Sequence, residues 1–143
     1  MNYKYKVLFV CAANVGRSQM AEGFYNHFTN SNQAVSAAGI QDCREKYEYR
    51  PDRDIVKVMQ EEGIDISNNL IKLVNEEIVS VSERIIIFCD PSLCPEYLKR
   101  NTRMMHVAIE DPYQLGLDKS HERKLEAYRS IRDKIRAFVL TLV

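Results

Sequence analysis

A chain of 143 residues, 45% of them apolar, is long enough to bury a real core and is accounted for by one domain, residues 1–143. Twenty basic and twenty acidic residues cancel, which removes any global electrostatic case for a nucleic acid or a membrane surface as partner. No apolar run reaches the roughly 18 residues that a membrane span requires, and Met1-Asn2-Tyr3-Lys4-Tyr5-Lys6 holds no signal-peptide apolar stretch, so a cytoplasmic protein is expected. In a reducing compartment Cys11, Cys43, Cys89 and Cys94 are read as chemistry rather than as disulfide staples.

The run Val7-Leu8-Phe9-Val10 predicts a first strand, and Met20, Ala21, Phe24 and Phe28 recur soon after at helical spacing. Between the two lie Cys11-Ala12-Ala13-Asn14-Val15-Gly16-Arg17-Ser18. A cysteine and an arginine separated by five residues, between a strand and a helix, form a loop whose backbone N–H groups can all point inward. Ala12, Ala13, Asn14, Val15 and Gly16 would then cradle an oxyanion at the positive end of the helix dipole. The same field favours the thiolate of Cys11 over the thiol. Arg17 adds a planar fork that matches two oxygens of a tetrahedral anion, and Ser18 can donate a hydrogen bond to the Cys11 sulfur.

Residues 33–39 read as a short strand closed by a glycine turn. The polar residues 41–50 read as a surface connection, with Cys43 an incidental thiol. Pro51 and Asp52 open a helix with Ile55, Val56, Val58 and Met59 inward and Gly63 as its C′ residue. Ile64-Asp65-Ile66-Ser67 turns the chain back, and residues 70–80 read as weakly helical. Residues 84–89 form the most hydrophobic run, as in a strand buried on both faces. Pro91 and Pro95 make residues 90–95 a turn. Residues 104–109 predict the last strand, which ends at Glu110-Asp111-Pro112-Tyr113. Residues 120–142 predict a long amphipathic helix with Leu125, Tyr128, Ile131, Ile135, Phe138 and Leu142 on one stripe. His27 and His121 fall on exposed helix positions. The spacing of Cys89, Cys94 and His106 matches no common zinc site, so no metal is expected.

Strands alternating with helices predict an α/β domain: a four-stranded parallel sheet with helices on both faces and right-handed crossovers. Sites in such sheets lie beyond the carboxyl ends of the strands. Cys11, Cys89 and Asp111 each fall at such an end and are expected to converge there.

The pattern Val-Cys-x-x-Asn-x-x-Arg-Ser at residues 10–18 resembles the signature of the low-molecular-weight protein tyrosine phosphatase superfamily, which includes the thioredoxin-coupled arsenate reductases. The resemblance runs over nearly the whole chain. Arg17-Ser18-Gln19-Met20-Ala21-Glu22-Gly23, Gly63-Ile64-Asp65-Ile66-Ser67, Lys72-Leu73-Val74, the Cys89 and Cys94 pair before Pro95, and Arg132-Asp133-Lys134-Ile135 are most similar to the reductase branch. Asp111-Pro112 resembles the general-acid loop of both branches, and its continuation with Tyr113 resembles the phosphatases. Two loop positions depart from the family pattern: Ala13 stands where a glycine is usual, and Gly16 where a second cysteine is usual.

The resemblance implies that Cys11 attacks a tetrahedral oxyanion, that Arg17 and the loop amides hold its oxygens, and that Asp111 protonates the departing oxygen. Asn14 is read as a hydrogen-bonded brace of the loop, and the resemblance adds a role for it near a potassium ion. The resemblance implies a thiol relay in which Cys89 attacks the Cys11 adduct, Cys94 resolves the disulfide, and a thioredoxin-like reductant restores the enzyme. Arsenate and phosphate are nearly isosteric, so two substrates stay open: arsenate for a reductase, or an aryl phosphate such as phosphotyrosine for a hydrolase. A phosphocarrier would need neither Arg17 nor Asp111. No organic cofactor is implied. Five residues of helix or strand would hold Cys89 and Cys94 too far apart for a disulfide, so the relay requires a mobile turn between them.

Overall fold

The protein is described from a computed structural model over residues 2–143. Its elements are β1 (Tyr5–Cys11), α1 (Arg17–Thr29), β2 (Ala34–Ala38), α2 (Arg53–Gln60), α3 (Glu76–Ser80), β3 (Ser82–Ile87), α4 (Glu96–Lys99), β4 (Met104–His106), α5 (Pro112–Gly116) and α6 (His121–Leu140). A 3-10 turn, Pro91–Leu93, lies between β3 and α4. The four strands form one parallel sheet in the order β2-β1-β3-β4.

The apolar run that opens the chain becomes the centre of that sheet because it can be covered on both sides. Side chains alternate across a strand, so Val7, Phe9 and Cys11 face one layer and Leu8 and Val10 the other. The first layer is α1, α2 and α6, packed through Phe24, Ile55, Met59, Tyr128, Ile131 and Ile135. Phe9 stacks on Phe88 with ring centroids 5.8 Å apart. The second layer is thinner, with Val79 and Leu98 from α3 and α4 over Val35, Ile85 and Ile87. Each large side chain buried this way contributes about 1.5–3 kcal/mol. Helices thus lie on both faces, as the strand–helix alternation predicts.

The structure corrects several boundaries. Of residues 70–80 only α3 is helical, with Asn75 as its N-cap accepting from Ile78 N–H at 2.8 Å. Residues 70–74 are extended and make a parallel bridge, Ala38 to Leu73, through Ala38 N–H to Lys72 O (2.7 Å) and Val74 N–H to Ala38 O (2.9 Å). The outer edge of β2 needs hydrogen-bond partners, and that demand overrides a weak helical pattern. β4 stops at His106, not at Ile109. Val107 N–H still reaches Ile87 O at 2.9 Å, but Ile109 N–H reaches Phe88 O only at 3.4 Å. Asp111 and Pro112, expected as a loop beyond the last strand, start a further helix, α5, with proline at its first position. Gly63 lies two residues beyond the C-cap of α2, Glu61, with φ +75°. On α6 the buried stripe includes Arg132 and Val139, Phe138 is only partly covered, and Leu142 lies beyond the end of the helix.

Candidate active site

The loop of residues 11–16 is where β1 ends and α1 begins. Gly16 caps α1 with no side chain, and the first turn of α1 carries no acidic residue, so the free N–H groups there remain available to an anion. Asn14 sits in the left-handed region at φ 59° and is fully buried. Its amide braces the loop from inside: Nδ2 donates to Ser18 Oγ (2.7 Å) and Ser36 Oγ (2.9 Å). Its Oδ1 accepts from Gln19 Nε2 (3.0 Å) and Lys72 N–H (2.9 Å). Behind it, Ser36 Oγ donates to Glu22 Oε1 at 3.1 Å, and the Lys72 ammonium lies 3.7 Å from the same oxygen. Burial pushes the Glu22 carboxyl up, and Lys72 opposes that shift.

Cys11 Sγ lies 3.0 Å from Ser18 Oγ. Because Asn14 already donates to that hydroxyl oxygen, the hydroxyl proton is free to point at the sulfur and stabilise a thiolate. Arg17 is buried and donates from Nη1 to Ile109 O (2.8 Å) and Phe88 O (3.4 Å), the carbonyls just beyond β4 and β3. One nitrogen of the fork is thus tied to the sheet while the side chain lines the cavity. Asp111 is both the N-cap of α5, with Oδ1 accepting from Tyr113 N–H at 3.0 Å, and a wall of that cavity. The carboxylate that caps α5 thus also faces the cavity.

The cavity has a volume of about 210 Å³. Cys11, Ala12, Ala13, Val15, Gly16 and Arg17 line its base, while Asn14 is turned away from it. Opposite the Asp111 wall stands the segment read from sequence as a mere connection: Cys43, Lys46 and Tyr47 all line the cavity, and Asp52 and Tyr128 join them. The Lys46 ammonium lies 5.7 Å from the Tyr47 ring centre and 5.5 Å from that of Tyr113, spanning both walls. Burial, with Asp52 and Cys43 nearby, pushes the Tyr47 phenol up to about 12, so it stays neutral. Two tyrosines, Tyr47 and Tyr49, within an otherwise polar segment were the available signal for this wall.

Cys89 does not join Cys11. Both lie at strand ends, but Phe88 takes the Cys11 side of the sheet and Cys89 the other, where it packs with Val10, Cys94 and Leu98. Cys89 and Cys94 are absent from the lining of the cavity. They are instead paired with each other. The 3-10 turn, capped by Asp90 Oδ1 accepting from Ser92 N–H at 3.0 Å, folds the chain back so that the two sulfurs stand 4.0 Å apart. Their hydrogen bond holds the Cys94 thiol below its usual value, whereas that same bond and burial hold Cys89 above. Cys94 is therefore the more acidic thiol of the pair.

Among the described residues no helix is long and apolar enough to cross a membrane. Residues 6–143 match the family model of the low molecular weight phosphotyrosine protein phosphatases. Arsenate reductase 1 of Staphylococcus epidermidis is 33% identical over 140 residues, covering 96% of this chain and 95% of that relative. Among solved structures, an arsenate reductase in the phosphate-binding state superposes with a TM-score of 0.72 at 26% identity, over 96% of this chain and 95% of that one. A thioredoxin-dependent arsenate reductase of Corynebacterium glutamicum superposes at 0.64 with 21% identity, over 96% of this chain and 61% of the other.

Proposed function

This chain belongs to the low molecular weight phosphotyrosine protein phosphatase family, and we propose that within the family it is a cytoplasmic arsenate reductase coupled to a thioredoxin-like dithiol. The observation that carries the reading is the Cys89 and Cys94 pair. Two buried thiols 4.0 Å apart at the end of the strand beside β1 have no part in hydrolysis, yet they are what a reductive exit from a Cys11 adduct requires.

The steps balance as follows. The Cys11 thiolate forms a bond to arsenic(V), and Asp111 protonates the oxygen that departs as water. Arg17 and the amides of residues 12–16 hold the remaining oxygens and compensate their charge. Cys89 then forms a disulfide with Cys11. The electron pair of the S–As bond stays on arsenic, which leaves as arsenic(III), arsenite. Cys94, the more acidic partner, attacks Cys89, frees the Cys11 thiolate and closes the Cys89–Cys94 disulfide. An external dithiol takes up that oxidation and returns both thiols. Since Cys89 starts on the far face of the sheet, the middle step requires residues 88–95 to rearrange.

A second reading is a phosphatase in which water, activated by Asp111, hydrolyses a cysteinyl-phosphate. The aromatic walls Tyr47 and Tyr113 favour it, because they would flank an aryl leaving group. The deciding experiment measures arsenate turnover with thioredoxin beside aryl phosphate hydrolysis on one preparation. Thioredoxin-dependent arsenite formation is expected. Its absence with every dithiol tried, with hydrolysis intact, hands the site to the phosphatase reading.

A further inference from the structure

Gly39 follows β2 directly, and its N–H donates to Cys11 O at 2.8 Å. Its φ is not in the left-handed region, so no backbone strain calls for glycine there. Space does. A Cβ built on Gly39 would lie 2.8 Å from Val10 Cγ1, 3.0 Å from Cys94 Sγ and 3.6 Å from Leu98 Cδ2. The Cys94 sulfur thus rests in the volume that any other residue's Cβ would occupy. From that seat it faces Cys89 Sγ at 4.0 Å, with Asp90 O at 3.9 Å on its flank.

We propose that Gly39 is a positioning residue of the thiol relay: its missing side chain is the seat of Cys94, and the seat holds the Cys94 thiol against Cys89. The role rests on the arsenate reductase reading, because only a relay makes use of that pairing. A carbon and a sulfur in contact need about 3.6 Å. A Cβ at position 39 would therefore displace Cys94 Sγ by roughly half an ångström in a pair that must still close to about 2.05 Å with a demanding torsion. Gly39 also lies next to the strand that delivers Cys11, so the two thiol centres share one close-packed junction. The Val10 contact is relieved separately by Val10→Ala, which leaves the Cys94 contact as the only one to be tested.

The experiment uses protein carrying Cys11→Ser and Cys43→Ser, so that only the relay pair can oxidise, with oxidised glutathione as the probe. One thiolate of the pair displaces a glutathione thiolate and forms a mixed disulfide. The second thiolate then displaces the other glutathione, so the pair loses two electrons and two protons while glutathione disulfide becomes two glutathiones. Adding Gly39→Ala to a Val10→Ala background is expected to slow the second step about tenfold, with mixed disulfide accumulating in the mass spectrum. Equal closure rates would overturn the assignment. A second readout is thermal: in the Val10→Ala background Gly39→Ala lowers the melting temperature, and adding Cys94→Ala restores most of the loss. If Gly39→Ala/Val10→Ala does not fold, recovery of folding on adding Cys94→Ala supports the seat, and failure of that triple variant refutes it. With Cys11 and Cys43 restored, the Gly39→Ala/Val10→Ala protein is expected to hydrolyse aryl phosphate within about threefold of Val10→Ala. An equal loss of closure and hydrolysis would assign Gly39 to the Cys11 loop instead. Slowed closure in an enzyme whose wild type reduces no arsenate would remove the arsenate reading and leave the seat standing.

Discussion

Cys11 hangs from a loop in which the polar groups are tied down. Asn14 alone bonds Ser18, Ser36, Gln19 and the backbone of Lys72, and Ser18 passes that order on to the sulfur. Cys89 and Cys94 face each other across a short turn held by local bonds near the surface: Asp90 Oδ1 accepts from Ser92 N–H and Oγ, Leu93 N–H donates to Asp90 O at 3.2 Å, Cys94 N–H to Pro91 O at 3.0 Å, and Lys99 Nζ to Ser92 O at 3.4 Å. Leu93, between the two thiols, is 63% exposed. The difference matches two kinds of work. A site that stabilises developing charge gains from dipoles that need not reorganise. A segment that must present one thiol first to Cys11 and then to Cys94 gains from having few bonds to break. Arg17 joins the two regions, since its Nη1 holds the carbonyl of Phe88, the residue before Cys89.

The sharpest way to break the comparison is Cys11→Ser, which is expected to bring both arsenate reduction and aryl phosphate hydrolysis to background in parallel assays. Cys89→Ser separates the regions: arsenate turnover stops after the adduct forms, while hydrolysis stays within about threefold of wild type. If hydrolysis falls as steeply as reduction, the two regions are not independent. Asp111→Asn is expected to slow hydrolysis by roughly 10²–10⁴. A change of only a few-fold would reduce Asp111 to the N-cap of α5.

Smaller effects test rigidity. Asn14→Ala strands buried partners on both sides of the loop and is expected to cost about 2–4 kcal/mol in chemical denaturation. An equivalent change in the relay turn, Asp90→Ala, is expected to cost about 1 kcal/mol or less, because the cap it removes is exposed. The reverse order would contradict the division into a fixed and a movable region. The smallest effect lies far from both. Hydrogen bonds from Arg129 and then Arg132 hold Glu61 at about 2, below its ordinary 4.5. A carboxylate depressed on folding stabilises the protein above its unfolded value, and that contribution fades as pH falls from 4.5 toward 2. Glu61→Gln is therefore expected to lower the melting temperature at neutral pH and to converge with wild type at low pH, with both activities at neutral pH unchanged.

The cradle was legible in sequence because its parts are contiguous. Eight residues, a strand before them and a helix after them are enough to aim amides, guanidinium and hydroxyl at one point, since strand-to-helix geometry is local. The same holds for α2, whose Asp52 cap and apolar spacing are both sequence-near. The relay was legible as composition but not as placement. A strand sends successive side chains to opposite faces, so placing Cys89 with Cys11 or against it turns on the register of β3 beside β1. The pairing of Val10 with Ile87 puts Phe88, not Cys89, on the Cys11 side.

Tertiary demand decided the rest. Residues 70–74 became extended because the edge of β2 had hydrogen bonds to satisfy, which no local pattern announces. Lys46 and Tyr47 became a wall because α2 and α5 bring that segment opposite Tyr113, over sixty residues away in the chain. Gly39 reads in sequence as the end of a strand, and only the packing of α4 and the 3-10 turn against β1 puts a sulfur where its side chain would be. The amino-acid sequence by itself determined the parallel sheet and the loop of residues 11–18, and it singled out Cys11 and Asp111 as candidates, because each is written in neighbouring residues or in periodicity. Which face each thiol takes, what closes the cavity and what holds the relay pair together were set by contacts between residues distant in sequence, and close packing satisfies those only all at once.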